Sequence, residues 1–261
     1  MKKIILKVIL GVCIVAVVGF TVAIVRELII DRQGQSFYDE LAASANRRPQ
    51  GSAQAGMAEG TDGSSGAAEQ DDAPWQPYVD FDALKEIYPR IVGWIKLEGT
   101  PIDYPIMQHT NNDYYLVHLP DGTPHRNGSI FLDYRNESDL SDKSILIFGH
   151  ETRAGDMFGA LKHYRDQEFF EANHVMQIYT PEKDYTLALF AAHVAHSVRD
   201  HPPLEFETDE EFLDYIEHLK SVSVFTSDIE VTTEDRIVSL VTCTYDFDNA
   251  RLIVVGILVE N

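Results

Sequence analysis

Cys243 is one of only two cysteines in the chain, and it closes the apolar run Ser239-Leu240-Val241-Thr242-Cys243. Eight residues later Arg251 opens a second apolar run that reaches Val259. A thiol that attacks a carbonyl needs a proton shuttle, a donor for the developing oxyanion and partial exposure. Of the ten histidines, His150 has the context for the shuttle: the run Ser144-Ile145-Leu146-Ile147-Phe148 breaks at Gly149 and delivers it at a strand end. Arg251, permanently charged and carrying five N–H donors, suits an oxyanion better than a lysine would. Singly, each residue has a plain reading: an inert buried cysteine, a surface histidine, a solvated loop arginine. Together they place three reactive groups at strand ends in a region with a single thiol, which points to nucleophilic catalysis on a carbonyl.

The elements that must hold these groups are short and β-like. Runs at Ile91 to Leu97, Ile102 to Met107, Ser129 to Tyr134, Ser144 to Phe148, Val175 to Thr180, Tyr185 to Val194, Ile237 to Cys243 and Leu252 to Val259 are separated by turn signals. Such spacing predicts a sandwich or barrel. Asp80 to Ile87 reads as a short helix with Asp80 as N-cap. Two helical insertions are expected, Asp156 to Asn173 and Thr208 to Ser221, the second opened by a Thr208/Glu211 capping box. Their aromatic and leucine stripes serve core packing. There is no internal repeat.

The first third of the chain reads differently. Residues 1–7 carry three lysines, and 8–25 run apolar without a charge. That is close to the ~20 residues a bilayer-spanning helix needs. A cleaved signal is the competing reading, with Thr21-Val22-Ala23 as a loose cleavage site, but the run exceeds the usual ~7–15 apolar residues of a signal and helix-compatible sequence follows it. The lysines put the N-terminus in the cytoplasm and the rest outside the cell membrane, as a single-pass protein. Residues 26–73 are expected as an extracellular stalk, because 44–73 are rich in Gly, Ser, Ala, Gln and acid and lack the apolar groups to order themselves. The compact domain is expected over 74–261, starting near Pro74-Trp75. A net charge of −21 excludes the basic stripe of a nucleic-acid binder. With Cys13 in the apolar span, Cys243 has no intramolecular disulfide partner outside it, and a free thiol in an exported protein needs a reason.

Gly149-His150, the Leu-Val-Thr-Cys run ending at Cys243, and Arg251 at the start of the last strand resemble the motifs of the sortases, membrane-anchored cysteine transpeptidases of Gram-positive bacteria. "GSIFLDYRNE" (128–137), "SILIFGH" (144–150), "DMFGAL" (156–161) and the long helix before the final strands are similar to class B members. The likeness covers about Trp75 to Asn261 and the anchor arrangement. It implies a mainly β fold with helical insertions, a closed eight-stranded β-barrel behind an N-terminal transmembrane helix, with no cofactor and no metal. It implies His150, Cys243 and Arg251 as catalytic residues. Their substrates would be secreted proteins with a C-terminal Pro-x-Thr sorting motif, cleaved through a thioacyl-enzyme. The acceptor amine would come from a cell-wall precursor of the lipid II type or from a pilin lysine. Asn111, Tyr115 and Leu116, in "TNNDYYLVHL", resemble a substrate-groove segment, with barrel-rim packing as the other reading, and Thr242 joins them as a substrate-binding residue. The chain departs from the family pattern at Ser239, where threonine is common, and at Thr244-Tyr245, which separate Cys243 from Asp246 and lend no support to an orienting acid.

Two other classes use the same features: a hydrolytic cysteine peptidase, which would release the acyl group to water, and a non-catalytic surface-binding module, which would tolerate loss of the thiol. Metal binding by His193 and His196 is disfavoured, because residues three apart on a strand project to opposite faces.

Overall fold

A computed structural model of the chain describes residues 2–45, 79–152 and 154–261. Eight strands form one closed barrel: β1 (Ile91–Lys96), β2 (Asp103–Met107), β3 (Ile130–Leu132), β4 (Ser144–Phe148), β5 (Val175–Tyr179), β6 (Asp184–His196), β7 (Ile237–Cys243) and β8 (Ala250–Glu260). Around the barrel they run β1-β2-β3-β4-β7-β8-β6-β5, with β5 closing back onto β1. Most neighbours are antiparallel, but β2 with β3 and β4 with β7 are parallel. Parallel neighbours need long crossovers. The one from β4 to β7 carries β5, β6 and the inserted helices.

Alternation along the strands sorts residues into two apolar layers. Val238 and Leu240 of β7 and Leu252 and Val254 of β8 face the barrel interior with Ile95, Ile106 and Ile147. Val241, Ile253 and Val255 point outward, where α4 (Asp209–Val222) covers them with Phe212, Ile216 and Leu219. Thr208 caps that helix by accepting from the Glu211 amide, while the Glu211 carboxylate accepts from the Glu207 amide, one residue earlier than an ideal capping box. The short α2 (Phe81–Ile87) begins as expected, its N-cap Asp80 accepting from the Ala83 amide.

Two expectations are corrected. The single helix expected over 156–173 is split: a 3₁₀ segment, Gly159–Arg165, ends where the Asp166 carboxylate caps α3 (Gln167–Asn173) by accepting from the Glu168 and Phe169 amides. A side chain that competes for helical amides starts a new helix there. The N-terminal region is also more structured than expected. α1 (Lys2–Ala45) runs through 26–45, part of the expected stalk, and buries Tyr38, Leu41 and Ala45 on the barrel. The Tyr38 hydroxyl donates to the Gly128 carbonyl at 2.6 Å, and the Ala45 carbonyl accepts from the Asp80 amide at 3.2 Å. The two ends of the remaining linker therefore meet, so its length does not set how far the barrel stands from the helix. The stalk residues 46–73, and the expected domain start at Pro74-Trp75, lie outside the described residues. α1 is long and apolar enough to cross a membrane.

Candidate active site

Strand direction explains why distant residues converge. Because β4 and β7 are parallel, their C-terminal ends leave the barrel at the same rim, and the Gly149 amide extends the ladder to the Val241 carbonyl at 3.1 Å. His150 thus follows β4 at the rim where Cys243 ends β7. β8 returns antiparallel, with Arg251 directly opposite Cys243 and Ala195 of β6 opposite Arg251. Directly paired residues share a face with Cβ atoms ~4.5–5.5 Å apart. His150, Cys243 and Arg251 line one cleft of about 250 Å³, walled by apolar Phe148, Val241 and Ile253. All three are partly exposed.

The hydrogen bonds at the rim fix orientation. His150 Nε2 lies 2.7 Å from the Leu116 carbonyl oxygen. A carbonyl only accepts, so Nε2 carries a proton, and Nδ1 is the nitrogen left to gain and lose one. One Arg251 guanidinium N–H donates to the Ala250 carbonyl at 2.9 Å, which sets the base of its fork.

The segment carrying Leu116 is braced from below. Asp133, whose side chain is fully buried, accepts from Asn112 at 2.9 Å and from Arg135 through both oxygens, at 2.9 and 2.8 Å. Burial alone would raise its pKa, but the bonds from Arg135 and Asn112 outweigh it and hold the carboxyl below its ordinary value. Gln108 donates to the Asp133 and Asn136 carbonyls, tying the same segment to the barrel.

The loop after Cys243 has its own brace. Arg165, at the end of the 3₁₀ segment, grips Asp246 with two N–H groups at 2.9 and 2.6 Å and also donates to Thr244. These hydrogen bonds, from Arg165 first and Thr244 second, hold the Asp246 carboxyl well below the usual carboxylate range. The acid nearest in sequence after Cys243 therefore secures the β7–β8 loop through Arg165.

The four groove residues named from resemblance separate. Leu116 lines the cleft and anchors His150. Thr242 lines it too, but sits opposite Leu252 of the interior layer, its Oγ1 buried with no hydrogen-bond partner among the described residues. Tyr115 is packed instead in the layer of Trp94, Met107 and Phe131, where burial pushes its pKa up to about 12. Asn111 is exposed and spends its side-chain oxygen accepting from the Asp113 and Tyr114 amides, a local turn. Asn112 and Asp113 stand at the cleft in its place, facing Ser197, Asp200 and His201 from the loop after β6. The sequence signalled the first pair only by adjacency to Asn111, and nothing local signalled the second group.

Known proteins carry the same architecture. The Sortase domain family matches residues 95–259. Sortase B of Listeria monocytogenes is 36% identical over 178 residues, covering 67% of this chain and 72% of that protein. Sortase B of Staphylococcus aureus is 33% identical over 183 residues, covering 69% and 75%. The structure of a Staphylococcus aureus sortase B–substrate complex superposes with a TM-score of 0.66 at 33% identity, covering 69% of this chain and 84% of that one.

Proposed function

Because the chain belongs to the sortase family, whose members are cysteine transpeptidases, we propose that the cleft cuts a C-terminal sorting motif of the Pro-x-Thr type on secreted proteins and passes the acyl group to an amine. The observation that carries this reading is the single row of groups at one rim: His150, Cys243 and Arg251 opening onto one cleft, with Cys243 and Arg251 in direct register.

The Cys243 thiolate attacks the carbonyl carbon after the threonine. Arg251 donates to the resulting oxyanion from the opposite strand. As the C–N bond breaks, the leaving amine takes a proton from His150 Nδ1, while Nε2 stays on the Leu116 carbonyl, and a thioester remains on Cys243. The incoming ammonium then gives a proton to Nδ1, its nitrogen attacks the thioester carbon, and the C–S bond breaks to return the thiolate. The acceptor is a cell-wall precursor amine or a pilin lysine. Residues 8–25 serve as an uncleaved anchor with residues 1–7 in the cytoplasm and 74–261 as the extracellular catalytic domain. The docking of Tyr38, Leu41 and Ala45 supports a retained helix.

Product analysis tests the reading. With a sorting-motif peptide and a primary amine, the amide-linked product forms; with the amine omitted, hydrolysis replaces it slowly. Equal hydrolysis with and without the amine, and no amide product, would make the chain a peptidase instead.

A further inference from the structure

Arg165 stands beside the loop that joins β7 to β8, and it reaches that loop from a fixed base. The residue before it, Tyr164, is buried in the core with Leu161, and its hydroxyl donates to the Asn173 carbonyl at 2.7 Å. The residue after it, Asp166, caps α3. The guanidinium therefore projects from backbone held on both sides. It meets Asp246 with two N–H groups, and the nitrogen on Asp246 Oδ2 also donates to Thr244 Oγ1 at 3.1 Å. The Thr244 hydroxyl in turn donates to Asp246 Oδ2 at 2.7 Å, which closes a ring of three side chains.

The ring continues into the backbone beneath Arg251. The Thr244 amide donates to the Ala250 carbonyl at 3.2 Å, and that carbonyl also accepts from the Arg251 guanidinium at 2.9 Å. A carbonyl oxygen has two lone pairs, so both bonds form at once. Among the described residues the Arg251 guanidinium has no other hydrogen-bond partner. The far end of the loop is pinned as well: the Ala250 amide donates to the Phe247 carbonyl at 3.1 Å, and the Ser197 amide donates to the Asn249 carbonyl at 3.0 Å. Asn249 turns the chain with φ 62°, a left-handed conformation that asparagine tolerates better than most residues. Arg165 and Thr244 set the near end.

We infer that Arg165 is a positioning residue for the oxyanion donor: through Asp246, Thr244 and the Ala250 carbonyl it sets where the Arg251 fork points. The inference rests on the reading of Cys243 as nucleophile and Arg251 as oxyanion donor. A donor aimed at charge that develops only in the transition state acts on turnover, so its misplacement lowers the rate while substrate still binds. The clasp suits this role better than a stabilising one. The Arg165 and Asp246 side chains are 38% and 34% exposed, and an ion pair so open to water contributes little to folding. Its geometry is nonetheless specific, because a planar fork on a carboxylate fixes direction as well as distance. The hydrogen bonds between them keep Asp246 ionised and Arg165 protonated at neutral pH, so the clasp persists under assay.

The test is single-turnover release of the leaving group from a sorting-motif peptide by an excess of the full chain in detergent micelles. Release by the wild type and its loss in Cys243→Ala are read first; failure there overturns the thiol reading itself, independently of the clasp. Arg165→Met should lower the maximal rate about 10-fold, a fraction of the ~10²–10³ that the donor itself supplies, with the half-saturating concentration within about twofold. Asp246→Asn should match it, and the two changes together should be no worse than either alone. Thr244→Val, which keeps the ion pair and removes the linking hydroxyl, should lose about threefold, the scale of one hydrogen bond. Tm should fall by no more than about 4 °C, and iodoacetamide should alkylate Cys243 at the wild-type rate. The deciding comparison is made in Arg251→Ala, where adding Arg165→Met should cost less than about twofold because the fork it aims is gone. The full loss repeated in that background, a larger fall in Tm or altered alkylation would make Arg165 a support for the loop or the thiol, and each overturns the inference. Wild-type rates in Arg165→Met and Asp246→Asn overturn it as well, and an unchanged Thr244→Val overturns the route through Thr244.

Discussion

Gly149 is the residue on which delivery of His150 depends, and Gly149→Ala measures how tightly it is held. The glycine is buried between β4 and His150. A methyl group there would run into Ile130 Cδ1 and would lie 2.7 and 2.9 Å from Cδ2 and Cγ of Phe158. Ile130 and Phe158 are both fully buried, so neither side chain has open space to retreat into. Overpacking of this kind costs ~1–3 kcal/mol. For a domain of this size that corresponds to a fall in Tm of roughly 3–10 °C. The backbone relieves the clash most directly by moving the chain that carries His150, and a displacement of ~1 Å at a catalytic group costs ~10²-fold in rate. Ile130→Val removes the one atom in closest conflict and alone costs ~0.5–1.5 kcal/mol. In the double variant the two losses should therefore sum to less than their separate values, by ~0.5 kcal/mol or more. Thermal denaturation and peptide cleavage on the four proteins of the cycle give both readouts. A Gly149→Ala protein with wild-type Tm and turnover, or strict additivity with Ile130→Val, would refute the argument that packing beneath Gly149 sets the position of His150.

Arg251→Lys should lose nearly as much turnover as Arg251→Ala, ~10²–10³-fold, the usual loss of one oxyanion donor, because an ammonium does not reproduce the planar fork; steady-state cleavage of a sorting peptide checks it, and a near-normal lysine variant would leave charge as the only contribution. His193 is half-buried, and this burial first, with repulsion from His218 next and Asp200 opposing, lowers its pKa to about 4. Below pH 6.5 the unfolded chain binds a proton that the native imidazole refuses, so stability falls as pH falls toward 4, by at most about 2.5 kcal/mol at pH 4.5. Urea unfolding of His193→Gln at pH 7 and pH 4.5 should show a smaller drop than the wild type; an identical drop would contradict the assignment.

The parts of the molecule that local pattern governs were legible in the sequence. All eight strands lie where apolar runs and turn signals put them, and Asp80 and Thr208 cap the helices they precede. The rim position of His150, Cys243 and Arg251 was legible as three strand ends, although their convergence depends on β4 and β7 running parallel, which no local signal states. Tyr115 kept two readings, groove contact or barrel-rim packing, because a loop tyrosine carries no periodicity to show which side it faces; the fold favours packing, with Trp94 and Phe131 in the same buried layer. Asp200 and His201 were missed for the same reason, since a loop after a strand reaches the cleft only through long-range packing. α1 was half readable: Gly34, Tyr38, Leu41 and Ala45 recur at helical spacing, but the polar residues between them concealed the stripe.

The central claim is that Cys243 carries the acyl group. Mass spectrometry of the protein quenched during turnover of a sorting-motif peptide tests it most directly. The account predicts an adduct equal in mass to the peptide fragment ending at its threonine less one water, located on the segment containing Cys243, discharged by added amine and absent from Cys243→Ala. Peptide cleavage that proceeds with no adduct, or with the adduct on another residue, would contradict it.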